Sequence, residues 1–353
     1  MSEMKKIRLL IVEDSAFMRI AIERMLKEDA RIEVIGSASN GQEAVEKVAR
    51  LKPDVVTMDI EMPIMDGLHA LKEVMQHSPV PVIMVSSLTQ KGAQVTLDAL
   101  DLGATDYIGK PGSNLSVNIF TLKAELLAKV AAAAESKPTV HKTRLPSMQP
   151  KRMTTPDDAI SQVDRVVVIG SSTGGPPAIR TVLSGLPANL AAPVIIAQHM
   201  PQMFTNAFAQ RLNSLCNLRV KEAVDGEVIQ RSVVYVCPGD HQTRVRKNEP
   251  DRYVFSIVSN DSEKRKFAPC IDQTFLSVVE HFGRKTLGVI LTGMGDNGAK
   301  AMSEIRNVGG MTIAQDKGTS VVYGMPRAVA ECGAAARILP IQQIAAEIEL
   351  ALR

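Results

Sequence analysis

Short β-branched runs alternate with amphipathic stretches in two separate blocks of this chain, and such alternation builds a parallel sheet with helices on both faces. The first block comprises Ile7 to Val12, Phe17 to Lys27, Ile32 to Ala38, Gly41 to Leu51, Val55 to Met58, Leu68 to Gln76, Val80 to Ser86, Gln94 to Leu100 and Asp106 to Ile108. A last helix is predicted from about Val117 to Ala134. The second block starts at Arg165, with apolar runs at Val166, Val194, Val233, Tyr253, Leu287 and Met311 and helices near Met203, Gln273, Ala299, Met325 and Ile341. Between them, Glu135 to Asp164 is rich in Ser, Thr, Lys and Arg and carries Pro138, Pro146, Pro150 and Pro156. Such a stretch buries little surface and reads as a tether. The chain is therefore expected to be an α/β protein of two doubly wound parallel-sheet domains, 1–134 and 165–353, joined by a linker, 135–164. Tyr253 to Val258, beside Val233 to Cys237, is expected to form an antiparallel ribbon outside the parallel core.

Charge and composition narrow the function. A length of 353 residues suits two domains, each able to bury its own core. A net charge of +3, 3% aromatic residues and no Trp offer neither the basic surface nor the stacking platforms that nucleic acid requires. The cysteines Cys216, Cys237, Cys270 and Cys332 are scattered without a C-x-x-C pair, which argues against zinc and against a disulfide framework. Met1 to Ile7 leads into a strand-like run with no signal-peptide core, and no apolar stretch reaches about 18 residues. These features predict a cytoplasmic protein that does not insert into membranes.

In a parallel sheet the carboxyl ends of the strands share one edge, and both blocks place their chemistry there. In the first, Glu13 and Asp14 end one run, Asp59 another and Ser86 a third, and Lys110 follows a fourth. Three carboxylates brought together repel one another unless a hard cation neutralises them. Mg²⁺, bound by few protein ligands and several waters, suits that set.

In the second block, Gly170-Ser171-Ser172-Thr173-Gly174-Gly175 follows the run Arg165 to Ile169. Its Gly-x-Ser-x-Gly spacing fits a turn that lifts a serine oxygen above a sheet. Pro193 to Ala197 stops at Gln198-His199-Met200-Pro201, and Leu287 to Leu291 stops at Thr292-Gly293-Met294-Gly295-Asp296-Asn297-Gly298. A hydroxyl, an imidazole and an acid or amide at three strand ends are the parts of acyl-transfer chemistry. Their order, Ser then His then Asp/Asn, differs from that of α/β-hydrolases, where the acid precedes the histidine. Thr292 either braces this site or is a satisfied turn hydroxyl. Neither G-x-G-x-x-G at this turn nor a P-loop lysine is present, which counts against a nucleotide site.

With Asp59-Ile60-Glu61-Met62-Pro63-Ile64-Met65-Asp66-Gly67 and Lys110-Pro111, the first 120 or so residues resemble the receiver domain of two-component response regulators. The resemblance implies that Asp59 accepts a phosphoryl group from a histidine kinase. It also implies that Glu13, Asp14, Asp59 and the Glu61 carbonyl bind Mg²⁺, that Ser86 and Lys110 hold the phosphoryl oxygens, and that Tyr107 is the switching aromatic. A receiver followed by Ile169-Gly170-Ser171-Ser172-Thr173-Gly174-Gly175-Pro176, Gln198-His199-Met200-Pro201 and Leu291-Thr292-Gly293-Met294-Gly295 resembles the chemotaxis protein-glutamate methylesterase (CheB) family over nearly the whole chain. That likeness implies a Rossmann-like esterase domain that hydrolyses γ-glutamyl methyl esters on chemoreceptor signalling helices, releases methanol and deamidates receptor glutamines. Ser172 would be the nucleophile, His199 the base and the N–H groups of Thr173 and Met294 the oxyanion donors. No cofactor is implied in that domain.

One departure bears on the site. The family reads Gly-Met-Gly-x-Asp-Gly, and strict register puts Asn297 where the acid belongs. A carboxylate stabilises imidazolium better than an amide does, and flanking glycines permit a one-residue shift. Asp296 is therefore expected as the third member, with Asn297 as the alternative, and either residue suits a cap for the helix near Gly298. If the exchange abolishes catalysis, the second half is a binding module attached to a receiver.

Overall fold

A strand covered by helices on both faces needs apolar side chains on both, and the central strands of the two sheets have that texture. The computed structural model describes residues 6–87, 89–110, 115–136, 163–249 and 252–353. Pro111 and most of the expected linker lie outside these residues. The chain divides into two compact units, Met1–Leu145 and Pro146–Arg353.

The first unit holds a five-stranded sheet in the order β2-β1-β3-β4-β5, with every neighbour parallel. Its strands are β1 (Ile7–Val12), β2 (Ile32–Ala38), β3 (Val55–Asp59), β4 (Val82–Ser86) and β5 (Asp106–Gly109). The helices α1 (Ala16–Lys27), α2 (Gly41–Leu51), α3 (Gly67–His77), α4 (Gln90–Asp101) and α5 (Leu115–Glu135) connect and follow them. Ser15, Asn40, Asp66 and Thr89 cap the first four helices by accepting the N–H three residues on. Each cap contributes about 1 kcal/mol. The Thr89 cap starts α4 four residues ahead of the apolar pattern at Gln94. Because β1 lies between β2 and β3, the strand order reverses there and a crevice opens over the β1 and β3 ends.

The second unit holds a seven-stranded parallel sheet in the order β14-β13-β12-β6-β7-β9-β8. Its strands are β6 (Val166–Ser171), β7 (Val194–Gln198), β8 (Arg219–Glu222), β9 (Val233–Val236), β12 (Thr286–Ile290), β13 (Met311–Gln315) and β14 (Arg337–Leu339). The helices are α6 (Gly175–Ser184), α7 (Gln202–Leu215), α8 (Asn260–Glu263), α9 (Ile271–Phe282), α10 (Ala299–Asn307), α11 (Met325–Glu331) and α12 (Ile341–Leu352). Val166, Val167, Val168 and Ile169 of β6 have no exposed surface, and burying each contributes about 1.5–3 kcal/mol. The architecture is thus the expected pair of doubly wound parallel sheets.

The ribbon is present, but its partner differs from the expectation. β11 (Arg252–Ser259) pairs antiparallel with β10 (His241–Glu249), and β9 belongs to the parallel sheet. Strand β10 escapes a hydrophobicity reading because its sequence is polar, with Gln242, Thr243 and Val245 as its buried residues. The edge strands β8 and β14 are short and half exposed, which is how sheet edges avoid pairing with other chains. No described helix is long and apolar enough to cross a membrane.

Candidate active site

Strand β6 is flanked by β7 on one side and β12 on the other, so the chain leaves it in one direction and returns in the opposite one. The crevice at that reversal is where ligands bind open α/β sheets. Ser171 closes β6, and the half-buried Ser172 begins the turn into α6, with its carbonyl accepting from the Gly175 N–H at 2.8 Å. Gly174 makes the turn at φ +74°, a conformation that other residues adopt at a cost. The Ser172 N–H donates to the Thr292 carbonyl at 3.1 Å, which ties the turn to the loop after β12. At Gly293 a Cβ would lie 2.9 Å from the Ser172 Cβ, so only glycine lets that loop come so close.

His199 follows β7, and its N–H donates to the Ser171 carbonyl at 3.1 Å. Its ring stacks on Phe267 with centroids 4.5 Å apart and planes 5° from parallel. Nε2 lies 3.0 Å from Asn297 Oδ1. The same Oδ1 accepts from the Ile271 N–H at 2.8 Å, while Asn297 Nδ2 donates to Asp272 Oδ2 at 3.0 Å.

The expectation of Asp296 as third member is corrected by this geometry. Asn297 is buried against His199, and Asp296 is exposed, its carbonyl accepting from the Ala299 N–H at the start of α10. Gly295 at φ +79° and Gly298 at φ +103° bracket the pair and turn the second residue inward. Register, rather than the acidity that imidazolium favours, decides which side chain faces the histidine.

Three supports were not anticipated. Ser171 Oγ donates to Gln198 Oε1 at 2.6 Å, and Gln198 Nε2 lies 3.0 Å from both the Ser172 and His199 carbonyls. One buried amide thus braces the backbones of two strand ends. Phe267 and Asp272 come from the segment after the ribbon and from the first turn of α9, which no strand-end pattern signals. Thr292 is a brace: its Oγ1 lies 3.0 Å from the Thr173 carbonyl and accepts from the Val322 N–H at 2.9 Å. Thr173 and Met294 belong to the two loops that meet at Ser172.

The first unit's crevice is built from charge. Oxygens of Glu13, Asp14 and Asp59 lie within 4.8 Å of one another, with Glu13 and Asp59 buried and Asp14 exposed. Lys110 Nζ is 2.7 Å from Asp59 Oδ2 and 3.1 Å from Glu13 Oε2. Burial pushes the Asp59 carboxyl above its usual range, and burial with the neighbouring Asp59 charge does the same to Glu13. Burial alone would lower Lys110, but contact with the two acids outweighs it and raises the ammonium. The same two oxygens, Glu13 Oε2 and Asp59 Oδ2, are buried and share the Lys110 ammonium. Two buried carboxylates that share a single ammonium, beside an exposed third, leave an excess of negative charge that fits a hard cation that retains water.

The other expected residues lie around this cluster. Ser86 is buried with its Oγ 2.7 Å from Thr96 Oγ1. Tyr107 is buried, with Lys129 Nζ 5.1 Å from its ring centroid. Glu61 is exposed, and its N–H approaches Asp59 Oδ1 at 3.4 Å.

Comparison with known proteins identifies both units. The response regulator receiver domain family matches residues 9–118, and the CheB methylesterase family matches residues 167–348. A protein-glutamate methylesterase/protein-glutamine glutaminase 2 from Carboxydothermus hydrogenoformans is 45% identical, covering 98% of this chain and 99% of its own. A counterpart from Geobacter sulfurreducens is 42% identical, covering 98% of each. The crystal structure of the Thermotoga maritima CheB methylesterase catalytic domain, 40% identical, covers 53% of this chain and 97% of that one with a TM-score of 0.51. Carrying a receiver domain ahead of a catalytic domain of that fold, this chain belongs to the CheB methylesterase family.

Proposed function

We propose that the protein is a chemotaxis hydrolase that removes methyl esters from glutamates of chemoreceptor signalling helices and deamidates receptor glutamines, under phosphorylation control. The observation that carries this reading is the His199 Nε2 to Asn297 Oδ1 contact of 3.0 Å at strand ends adjoining Ser172. Ser172 Oγ attacks the γ-carbonyl carbon. Because Nε2–H donates to Asn297, His199 takes the serine proton on Nδ1 and returns it to the leaving methoxide, which departs as methanol. Water then hydrolyses the acyl-serine by the same route in reverse. With glutamine, ammonia leaves instead. The N–H groups of Thr173 and Met294 hold the oxyanion, each worth about 2.7–4 kcal/mol.

In the receiver, Asp59 accepts the phosphoryl group of a histidine kinase. Glu13, Asp14 and Asp59, with the Glu61 carbonyl, would hold Mg²⁺, which supplies positive charge to the phosphoryl oxygens. Lys110 moves from the Asp59 carboxylate to those oxygens, Ser86 donates to them, and Tyr107 reports the change. The phosphoryl group adds nearly two negative charges. The setting is the cytoplasm, and neither nucleic acid nor membrane insertion takes part. A binding module without catalysis is not favoured, because the similar proteins are named as enzymes and the imidazole has an acceptor in place.

A fluorophosphonate probe tests this. Labelling of Ser172 that disappears in Ser172→Ala and His199→Ala is expected, together with methanol release from methylated receptor that a small phosphodonor increases and Asp59→Ala leaves unresponsive. An unlabelled wild-type chain that releases no methanol contradicts the reading.

A further inference from the structure

An amide in the third position creates a difficulty that a carboxylate does not. Asn297 can present Oδ1 or Nδ2 to His199, and the two orientations fill the same space. They impose opposite tautomers. With Oδ1 forward, Nε2 carries the proton and Nδ1 is the base; with Nδ2 forward, Nε2 accepts, Nδ1 carries the proton, and the ring cannot receive one from Ser172.

We propose that Asp272 is the positioning residue that holds Asn297 the productive way round, an inference that rests on the assignment of Ser172 and His199 above. A carboxylate only accepts, so Asp272 Oδ2, 3.0 Å from Asn297 Nδ2, binds the donor end of the amide. The Ile271 N–H, 2.8 Å from Oδ1, binds the acceptor end. Reversing the amide would oppose donor to donor at Ile271 and acceptor to acceptor at Asp272. Asp272 is itself fixed, because its Oδ1 accepts from the Ala301 N–H at 2.9 Å and so joins α9 to α10. The acid missing from contact with the imidazole is thus present one hydrogen bond further away, where it polarises the amide that receives the Nε2–H.

Asp272 also binds a backbone N–H of α10, so the test must separate orientation from capping. In the full-length chain, Asp272→Asn should lower kcat for methanol release about 10- to 100-fold with little change in KM. The ¹⁵N spectrum of the His199 ring should change from a single Nε2–H tautomer to a mixture. Adding Asn297→Asp to Asp272→Asn exchanges the two groups: the new carboxylate accepts from His199 and Ile271, and the new amide donates to it while accepting from Ala301. That double variant should recover kcat to within about threefold of wild type. If Asp272 only caps α10, the exchange leaves the defect unrepaired. Unchanged kcat and tautomer in Asp272→Asn, or a defect that the double variant retains, would overturn the inference while probe labelling of wild-type Ser172 stands. An unlabelled wild type overturns the underlying assignment and this inference together.

Discussion

The two crevices share a topological origin and differ in electrostatics. Over β1 and β3, three carboxylates crowd around a single ammonium, which leaves negative charge in excess. Over β6, β7 and β12, the groups are joined by hydrogen bonds through two amides, and the carboxylate of Asp272 stands behind one of them. The first arrangement has the charge excess that a bound cation would neutralise. In the second, the His199 ring already has its acceptor in place, an arrangement suited to fixing a tautomer.

This contrast can be broken at either end. The largest expected effect is that of Ser172→Ala, which should reduce methanol release by about 10⁴-fold or more and leave phosphoryl acceptance at Asp59 intact. Residual hydrolysis near the wild-type rate would mean that the neutral site is not the reactive one. Next, Mg²⁺ at about 100 times its dissociation constant should stabilise the receiver by about 2.7 kcal/mol, measured by thermal unfolding. Asp59→Asn and Glu13→Gln should diminish that response. An equal response in both variants would show that the buried carboxylates are not what the cation completes.

A smaller effect sharpens the comparison at Glu263, on the segment after the ribbon. Glu263 bonds to Gln273 and also pairs with Arg244 and Arg265, which together hold its carboxyl down at about 2. A depressed carboxyl stabilises the folded state above the ordinary glutamate range, and that contribution fades as the pH falls towards 2. Glu263→Gln should therefore cost about 1 kcal/mol at neutral pH, after allowance for solvent screening, and nothing near pH 2, measured by urea unfolding. A pH-independent cost would assign Glu263 a packing role instead.

Much of both sites was readable in the chain because chemistry at the ends of parallel strands converges whatever the loops do. Each functional group follows an apolar run: Glu13, Asp14, Asp59 and Lys110 cluster at one sheet edge, and Ser172 and His199 follow the adjacent strands β6 and β7 of the other. The choice between Asp296 and Asn297 was not readable from acid strength, because two left-handed glycines set the direction of the pair. Phe267, Asp272 and Gln198 were hidden for another reason. Apart from the adjacent His199 carbonyl, their partners in the site lie 25 or more positions away, and the polar strand β10, whose Gln242 holds the segment that carries the first two, has no hydrophobic signature.

The central claim is that an amide, in register and held from behind, completes the catalytic site in place of the neighbouring acid. Methanol release from methylated receptor by wild type, Asn297→Ala and Asp296→Ala, assayed in parallel, tests it most directly. A loss of about 10²-fold or more in Asn297→Ala is predicted, with Asp296→Ala within about threefold of wild type. The reverse pattern, a crippled Asp296→Ala beside an active Asn297→Ala, would contradict it.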